Sequence, residues 1–469
     1  MLPPKKPFPR RQQQSSWREF QSRLPKKSHK KKRPKGRYIL LALLSLLIAF
    51  GIFTYSSNTQ TEDLSVVSAA RATPVIVEPE ATTVTSPPAA IDSQLSKDDV
   101  RLLLDERSFS QLTKKDFSLL SNGNTLHVET TLDPELQNFL LNTIDRVNSR
   151  YVGIVVMEAT TGQVLALAGY DRVDSSKNPC LESQFPAASV FKIVTAATAV
   201  DQCGYGADSP VHYSGQKHTL YKRQLTDKVD RYTTTVPLRK AFAESVNPVF
   251  GKIGELRLRK PLLEKAAATF GFNQPFEFEL DVTASQFEIS DEPYNWAEVA
   301  SGYNRTTTLS PLHGAALVSA VLNAGMMVTP TIIENITDAQ GNNLYRRPEE
   351  TESRRIMSPR AAIALGQMME GTITSGTARK TFRKHLKDRV LTRLQIGGKT
   401  GSMDSQTHDV HFDWFVGFAK EDHTQKQLAI AVMVGHEKFI GIRASDYARR
   451  AMTFYFKTPV DSVSGDGKD

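Results

Sequence analysis

LQIGGKTGSMDSQTHDVHFDWFVGFAKEDHTQKQLAIAVMVGH, residues 394–436, carries three apolar runs, LQIGGKTGS, HFDWFVGFA and QLAIAVMVGH, joined by short polar turns. Runs of this length and composition, so closely spaced, read as consecutive antiparallel strands. A matching signal lies far upstream, where YVGIVVME (151–158) and QVLALAG (163–169) flank the turn Ala159–Thr160–Thr161–Gly162. Between these ends, residues 186 to 380 read as mostly helical. Asp133, followed by Pro134 and Glu135, predicts the start of a helix running to about Ser149. A last helix is expected over 446–456. Strands at both ends with helices between them predict an α/β (α+β) fold. It would have one antiparallel sheet of about five strands covered by helices, with an inserted all-helical lobe.

Further out, the N-terminus has a different composition. Residues 1–37 hold 14 Lys and Arg against the single acid Glu19, so the rest of the chain sums to −4 although the whole is +9. The basic balance therefore belongs to a tail and not to the globular part. Directly after it, Tyr38 to Tyr55 (YILLALLSLLIAFGIFTY) contains no charge. Eighteen residues of helix rise about 27 Å, close to the thickness of bilayer hydrocarbon. Tyrosines at both ends and cations before the run predict an uncleaved transmembrane helix with a cytoplasmic N-terminus. A signal peptide would have a shorter apolar region and a nearby cleavage site. With a membrane helix attached, the Lys/Arg cluster is explained by topology and lipid contact, and no nucleic-acid partner is expected. Residues 56–95 are rich in Ser, Thr, Ala and Pro and read as a linker. Residues 96–125 read as a small segment with a strand and a short helix, the globular domain as 126–457, and 458–469 as a flexible tail.

Three short patterns carry the chemistry. Ser-x-x-Lys occurs at Ser28, Ser189 and Ser214, but only Ser189 stands at the head of an apolar helix, in PAASVFKIVTAATAV. A serine there meets the positive end of the helix dipole, and Lys192 projects from the same face one turn later. Phe191, Ile193 and Val194 suggest that Lys192 is buried, which would lower its proton affinity and let it act as a base. On its own the pattern is read more readily as an ordinary amphipathic helix with a surface lysine. Ser-x-Asn occurs at Ser56, Ser176 and Ser245. Ser245-Val246-Asn247 lies in a helical stretch that Pro248 is expected to bend or end, exposing the pair. Lys399-Thr400-Gly401 occurs once, after Gly397 and Gly398, in a strand where glycine permits close approach of a backbone or ligand.

Taken together, these motifs identify a resemblance. From about Leu126 to Phe456 the sequence resembles the transpeptidase domain of penicillin-binding proteins, with Ser189-x-x-Lys192, Ser245-x-Asn247 and Lys399-Thr400-Gly401 in family order. TTLDPELQ (130–137), MEATTGQVLALAG (157–169), SPLHGAALVSAVLNAGMMVTP (310–330), GTITSGTA (371–378) and DWFVGFA (413–419) match between them. The resemblance implies Ser189 as the nucleophile of an acyl-enzyme and Lys192 as its base. Ser245 would relay a proton to the leaving amine, and Asn247 would orient Lys192 and the substrate amide. Lys399 and Thr400 would hold the terminal carboxylate, and the N–H groups of Ser189 and Ser402 would form the oxyanion hole. Substrate contacts are thus expected at Lys399, Thr400, Gly401 and Ser402. Peptidoglycan stem peptides would be the substrate, β-lactams covalent inhibitors, and a cell-wall synthesis complex a further partner. The catalytic domain would lie outside the inner membrane.

About 70 residues separate Tyr55 from Leu126, too few for the glycosyltransferase domain of bifunctional relatives. The expected activity is D,D-transpeptidation. A D,D-carboxypeptidase or class D-like β-lactamase using the same serine is the alternative, and a β-lactam sensor or inactive scaffold ranks lower. A class A β-lactamase would need a Glu-x-x-Leu-Asn loop after Asn247, and none is present. No cofactor is expected. His408, Asp409, His411 and Asp413 cluster in sequence, yet they read as turn caps and cleft lining rather than as a metal site. Trp296 and Trp414 read as core or cleft wall. Cys180 and Cys203 flank the Ser189 helix, and an oxidising compartment would allow a disulfide between them.

Overall fold

The computed structural model describes residues 94–457 apart from 105–108, 110–111 and 384–387. The apolar run 38–55, the basic tail, most of the linker and the C-terminal tail lie outside the described residues. Among those described, no helix is long and apolar enough to cross a membrane.

The expected sheet is present. Strands β3 (Ser149–Glu158) and β4 (Val164–Asp171) join β11 (Leu394–Asp404), β12 (His411–Glu421) and β13 (Gln427–His436) in the order β11-β12-β13-β3-β4. All four pairings are antiparallel, and Leu428 of β13 faces Glu158 of β3 across the junction of the two chain ends. Alternation splits the sheet between two cores. Val155, Met157, Trp414 and Val416 pack into one, while Val152, Ile154, Val156 and Phe415 pack into the other. Helices α2 (Pro134–Thr143) and α10 (Ala444–Tyr455) cover the second face. On the first face lie α3 (Lys192–Cys203), α8 (Pro311–Leu322) and α9 (Pro359–Thr374).

Several expectations are corrected. Helix α2 begins at the Asp133 cap, whose carboxylate accepts from the N–H groups of Glu135 and Leu136, but it ends at Thr143. Asp145 then caps a turn by accepting from Val147 and Asn148 N–H, and β3 starts at Ser149. Nor is the inserted lobe all helical. It holds the hairpin of β5 (Pro210–Ser214) and β6 (Thr233–Pro237), the latter a β-branched run, TTTVP. Strands β8 (Ile333–Asp338) and β9 (Asn343–Arg346) also fall in this stretch. They complete a second sheet, β1-β2-β8-β9, with β1 (Asp116–Ser121) and β2 (Asn124–Thr130). A short helix α1 (Lys97–Leu103) precedes it, and Leu95 N–H donates to the Leu344 carbonyl. The described residues between 95 and 125 therefore pack into the same body as the chain that follows.

Candidate active site

Ser189 sits in a single 3-10 turn, Ala188–Phe191, that runs directly into α3. The entry is strained. Ala188 has φ +48, a left-handed conformation that costs a non-glycine residue about 1 kcal/mol or more. Two contacts hold it. Trp414 on β12 donates from its indole N–H to the Pro186 carbonyl at 2.9 Å, and Gly302 packs against Ala188 so tightly that a Cβ there would lie within contact of its carbonyl oxygen.

Ser245 and Asn247 arrive by a different route from the one expected. Helix α4 (Leu238–Ala243) ends before Ser245, and Pro248 does not break it. Instead Pro248 occupies the first turn of a new helix, α5 (Asn247–Lys252). Ser245 forms the joint at φ +54, and both side chains are buried rather than exposed. Segment 217–218 wraps this joint. Asn247 N–H donates to the Lys217 carbonyl at 2.7 Å, Asn247 Nδ2 donates to the His218 carbonyl at 3.1 Å, and Lys217 pairs with Glu244 at 2.7 Å.

These turns converge on two buried lysines. Lys192 Nζ lies 2.7 Å from Ser189 Oγ, 2.8 Å from Asn247 Oδ1 and 2.5 Å from the carbonyl of Ser301 at the end of α7 (Pro293–Ser301). The Nδ2 bond to His218 fixes the Asn247 amide so that its oxygen faces Lys192. Burial lowers the Lys192 proton affinity well below that of an ordinary lysine, and the charge of Lys399 adds to the effect. A neutral amine has two N–H groups and one lone pair. Asn247 Oδ1 and the Ser301 carbonyl can only accept, so they take both N–H groups. The lone pair is left for the Ser189 hydroxyl proton.

Lys399 is also wholly buried, with Nζ 3.0 Å from Ser245 Oγ and 2.8 Å from the Thr400 carbonyl. Burial brings its pKa down to about 7. Phenylalanine rings lie under both amino groups, Phe250 at 5.7 Å from Lys192 Nζ and Phe242 at 5.5 Å from Lys399 Nζ. The glycines before Lys399 have a purpose other than ligand approach. A Cβ on Gly397 would meet the Phe418 ring at 2.4 Å, and one on Gly398 the Phe415 ring at 2.4 Å. Gly401 is where β11 passes the nucleophile turn, since a Cβ there would meet Ala187 O at 3.3 Å.

A cleft of about 770 Å³ opens onto this cluster, lined by Ser189, Ser245, Asn247, Thr400, Gly401 and Ser402 among others. The residues of the three motifs, Ser189 and Lys192, Ser245 and Asn247, and Lys399 to Ser402, thus come together from three separate segments. His218, Ser301 and Thr377 also belong to the site and were not singled out. His218 lines the cleft with its proton affinity lowered, first by burial and then by the Lys192 charge. No pattern in a single sequence marks a backbone carbonyl such as that of Ser301.

Of the competing copies of the motifs, Ser28 and Ser56 lie outside the described residues, and the other two lie apart from the site. Ser214 Oγ bonds Thr233 in the β5–β6 hairpin, and Ser176 bonds Asp174 in a polar loop. Cys180 and Cys203 are both free thiols, Cys180 buried against the Ile154 carbonyl and Cys203 at the end of α3. Asp409 pairs with Arg150 at 2.8 Å, His411 with Asp404 at 2.6 Å, and Asp413 accepts from Ala444 N–H at 2.9 Å. No group of three or more His, Cys, Asp or Glu among the described residues could hold a metal ion. Trp414 is fully buried and Trp296 partly so.

Comparison with known proteins places this architecture. Residues 152–455 match the penicillin binding protein transpeptidase domain. Stage V sporulation protein D of Bacillus subtilis is 24% identical over 341 residues, 66% of this chain and 49% of that protein. PbpB of Mycolicibacterium smegmatis is 25% identical over 342 residues, 66% of this chain and 50% of that one. The chain spans about half the length of these relatives. Among solved structures, PBPA from Mycobacterium tuberculosis shares the fold with a TM-score of 0.57 at 22% identity, over 70% of this chain and 82% of that one. PBP3 from the same organism, complexed with ampicillin, gives 0.58 at 20%, over 70% and 77%.

Proposed function

The chain belongs to the penicillin-binding protein transpeptidase family, and from that premise we propose that it is a D,D-transpeptidase that cross-links peptidoglycan stem peptides through an acyl-enzyme on Ser189. The observation that carries this reading is the coordination of Lys192, whose two fixed acceptors leave its lone pair for the Ser189 hydroxyl. In acylation Ser189 Oγ forms a bond to the carbonyl carbon of the penultimate D-alanine as its proton passes to Lys192 Nζ. The N–H groups of Ser189 and Ser402 would receive the developing oxyanion, a contribution worth about 100- to 1,000-fold in rate per donor. The C–N bond then breaks as Ser245, 3.0 Å from Lys399 Nζ, gives its hydroxyl proton to the departing amine and takes in its place the proton that Lys192 received from Ser189. An acceptor amine reverses these steps and leaves as the cross-linked product. β-Lactams would enter the same path and remain on Ser189.

The +13 tail and the apolar run 38–55 further support a single-pass anchor in a bacterial inner membrane, with the catalytic unit outside it and within reach of a cell-wall synthesis complex. One set of measurements tests both parts. A fluorescent penicillin should label the full-length chain covalently, in the membrane fraction. Ser189→Ala should abolish the label with an unchanged melting temperature. The acyl-enzyme from a D-alanyl thioester should decay faster when a D-amino acid is added. Label that survives in Ser189→Ala removes the nucleophile assignment, and decay indifferent to the amine favours hydrolysis instead. Labelled full-length chain in the soluble fraction removes the anchor.

A further inference from the structure

The carboxylate end of the cleft contains one group more than the Lys399-Thr400-Gly401 run. Lys399 is wholly buried, and two of its N–H groups are directed to Ser245 Oγ and the Thr400 carbonyl. An anion in the cleft would feel the charge of Lys399 but must take its hydrogen bonds from groups that reach the surface. Two hydroxyls do. Thr400 Oγ1 and Thr377 Oγ1 both line the cleft and lie 2.5 Å apart. In that arrangement one hydroxyl donates to the other, and only one proton of the pair is left to offer.

Thr377 is not a loosely placed surface threonine. Its N–H donates to the Ala243 carbonyl at 3.0 Å, and Gly376 before it lies so close that a Cβ would fall 2.2 Å from that same oxygen. Ala243 ends α4, and Ser245 two residues later is tied back by its own N–H to the Phe242 carbonyl at 3.0 Å. Thr377 is therefore seated by its backbone on the turn that presents Ser245, with its hydroxyl turned toward β11.

We propose that Thr377 is a substrate-binding residue of this site, its hydroxyl and that of Thr400 together holding the terminal carboxylate of the donor peptide or the matching carboxylate of a β-lactam. On binding, the bond between the hydroxyls breaks and each donates to one carboxylate oxygen, while Lys399 supplies charge from behind. The proposal rests on the transpeptidase reading above.

The test compares benzylpenicillin with its uncharged methyl ester on full-length wild type, Thr377→Val and Thr377→Ser. The valine is nearly isosteric and keeps the N–H bond to Ala243, so melting temperatures should stay close. Losing one hydrogen bond to a charged group should slow acylation by benzylpenicillin about 10- to 100-fold. The ester rate should change less than about twofold, and Thr377→Ser should restore most of the loss. Equal losses on acid and ester would mean that Thr377 only supports the Ser245 turn, and that overturns the proposal. An unchanged Thr377→Val does the same. If wild type itself takes no label from either compound, the enzyme reading fails, and the proposal with it.

Discussion

Lys192 and Lys399 are both fully buried and both lose proton affinity for that reason, yet their partners set them apart. In the proposed mechanism Lys192 must be neutral to take the Ser189 proton, whereas Lys399 acts through positive charge. Lys192→Arg should lose acylation by at least about 100-fold, because a guanidinium does not deprotonate. Lys399→Arg should keep measurable acylation. Wild-type acylation should rise with pH on the acid side as Lys192 loses its proton, then fall above about 7 as Lys399 loses its own. The falling limb should be absent in Lys399→Arg, since arginine keeps its charge there. Rates of penicillin labelling against pH check this. Equal losses in the two variants, or an alkaline limb that persists in Lys399→Arg, would remove the division of labour. At this scale much of the site was legible. Ser189, Lys192, Ser245, Asn247 and Lys399 belong to short patterns whose spacing survives folding. His218 and the place of Thr377, which lies within the matching stretch GTITSGTA, were not legible, because they meet the motif residues through contacts 29 and 23 residues distant in sequence, and no local pattern records such a meeting.

Elements converge on the nucleophile through close backbone approach, and Gly302 is the tightest case. It caps α7 at φ +65, and an added Cβ would collide with the Ala188 carbonyl. Gly204 caps α3 at φ +71 with nothing within 4 Å of an added Cβ. Both alanine substitutions carry the cost of a left-handed non-glycine residue, about 1 kcal/mol. Only Gly302→Ala must also push the Ser189 turn aside. Gly204→Ala should lower the melting temperature by a few degrees and leave acylation intact, while Gly302→Ala should slow acylation at least about tenfold. Similar acylation rates in the two would show that the contact does not position Ser189. The same scale explains which parts of the fold could be read in advance. The five strands of the main sheet are long apolar runs, and periodicity identifies them. Strand β8, IENITD, buries only Ile333 and Ile336, so its pattern is too weak to separate from loop. Pro248 was legible as a helix boundary but not as the start of α5. A proline marks a break without saying on which side the helix lies.

Across the whole molecule, the active site has a cost in stability that depends on pH. Ordinary lysines in the unfolded chain hold a proton up to about 10.4. Lys399 in the folded protein gives its proton up at about 7, and Lys192 also does so well below the ordinary value. Between about 7 and about 10.4 the unfolded chain therefore binds more protons than the folded one, and stability rises with pH through that window. Below about 7 Lys399 is charged in both states, and the full cost of burying it is present, on the order of a few kcal/mol. Lys399→Met removes that cost, while the loss of hydrogen bonds to Ser245 and the Thr400 carbonyl offsets part of the gain by an amount that does not vary with pH. The readout is therefore how the difference changes and not its size at one pH. Melting temperatures of wild type and Lys399→Met, measured from pH 6 to pH 10, should differ most in favour of the variant near pH 6 and converge as pH rises. Groups that do not feel Lys399 are common to both proteins and cancel in the comparison, while Lys192 and His218, whose proton affinity the Lys399 charge lowers, are relieved in the variant and add to its advantage at the acid end. A difference that stays constant, or that widens in favour of Lys399→Met toward pH 10, would mean that Lys399 keeps an ordinary proton affinity when folded, and the explanation for the alkaline limb of acylation would fall with it.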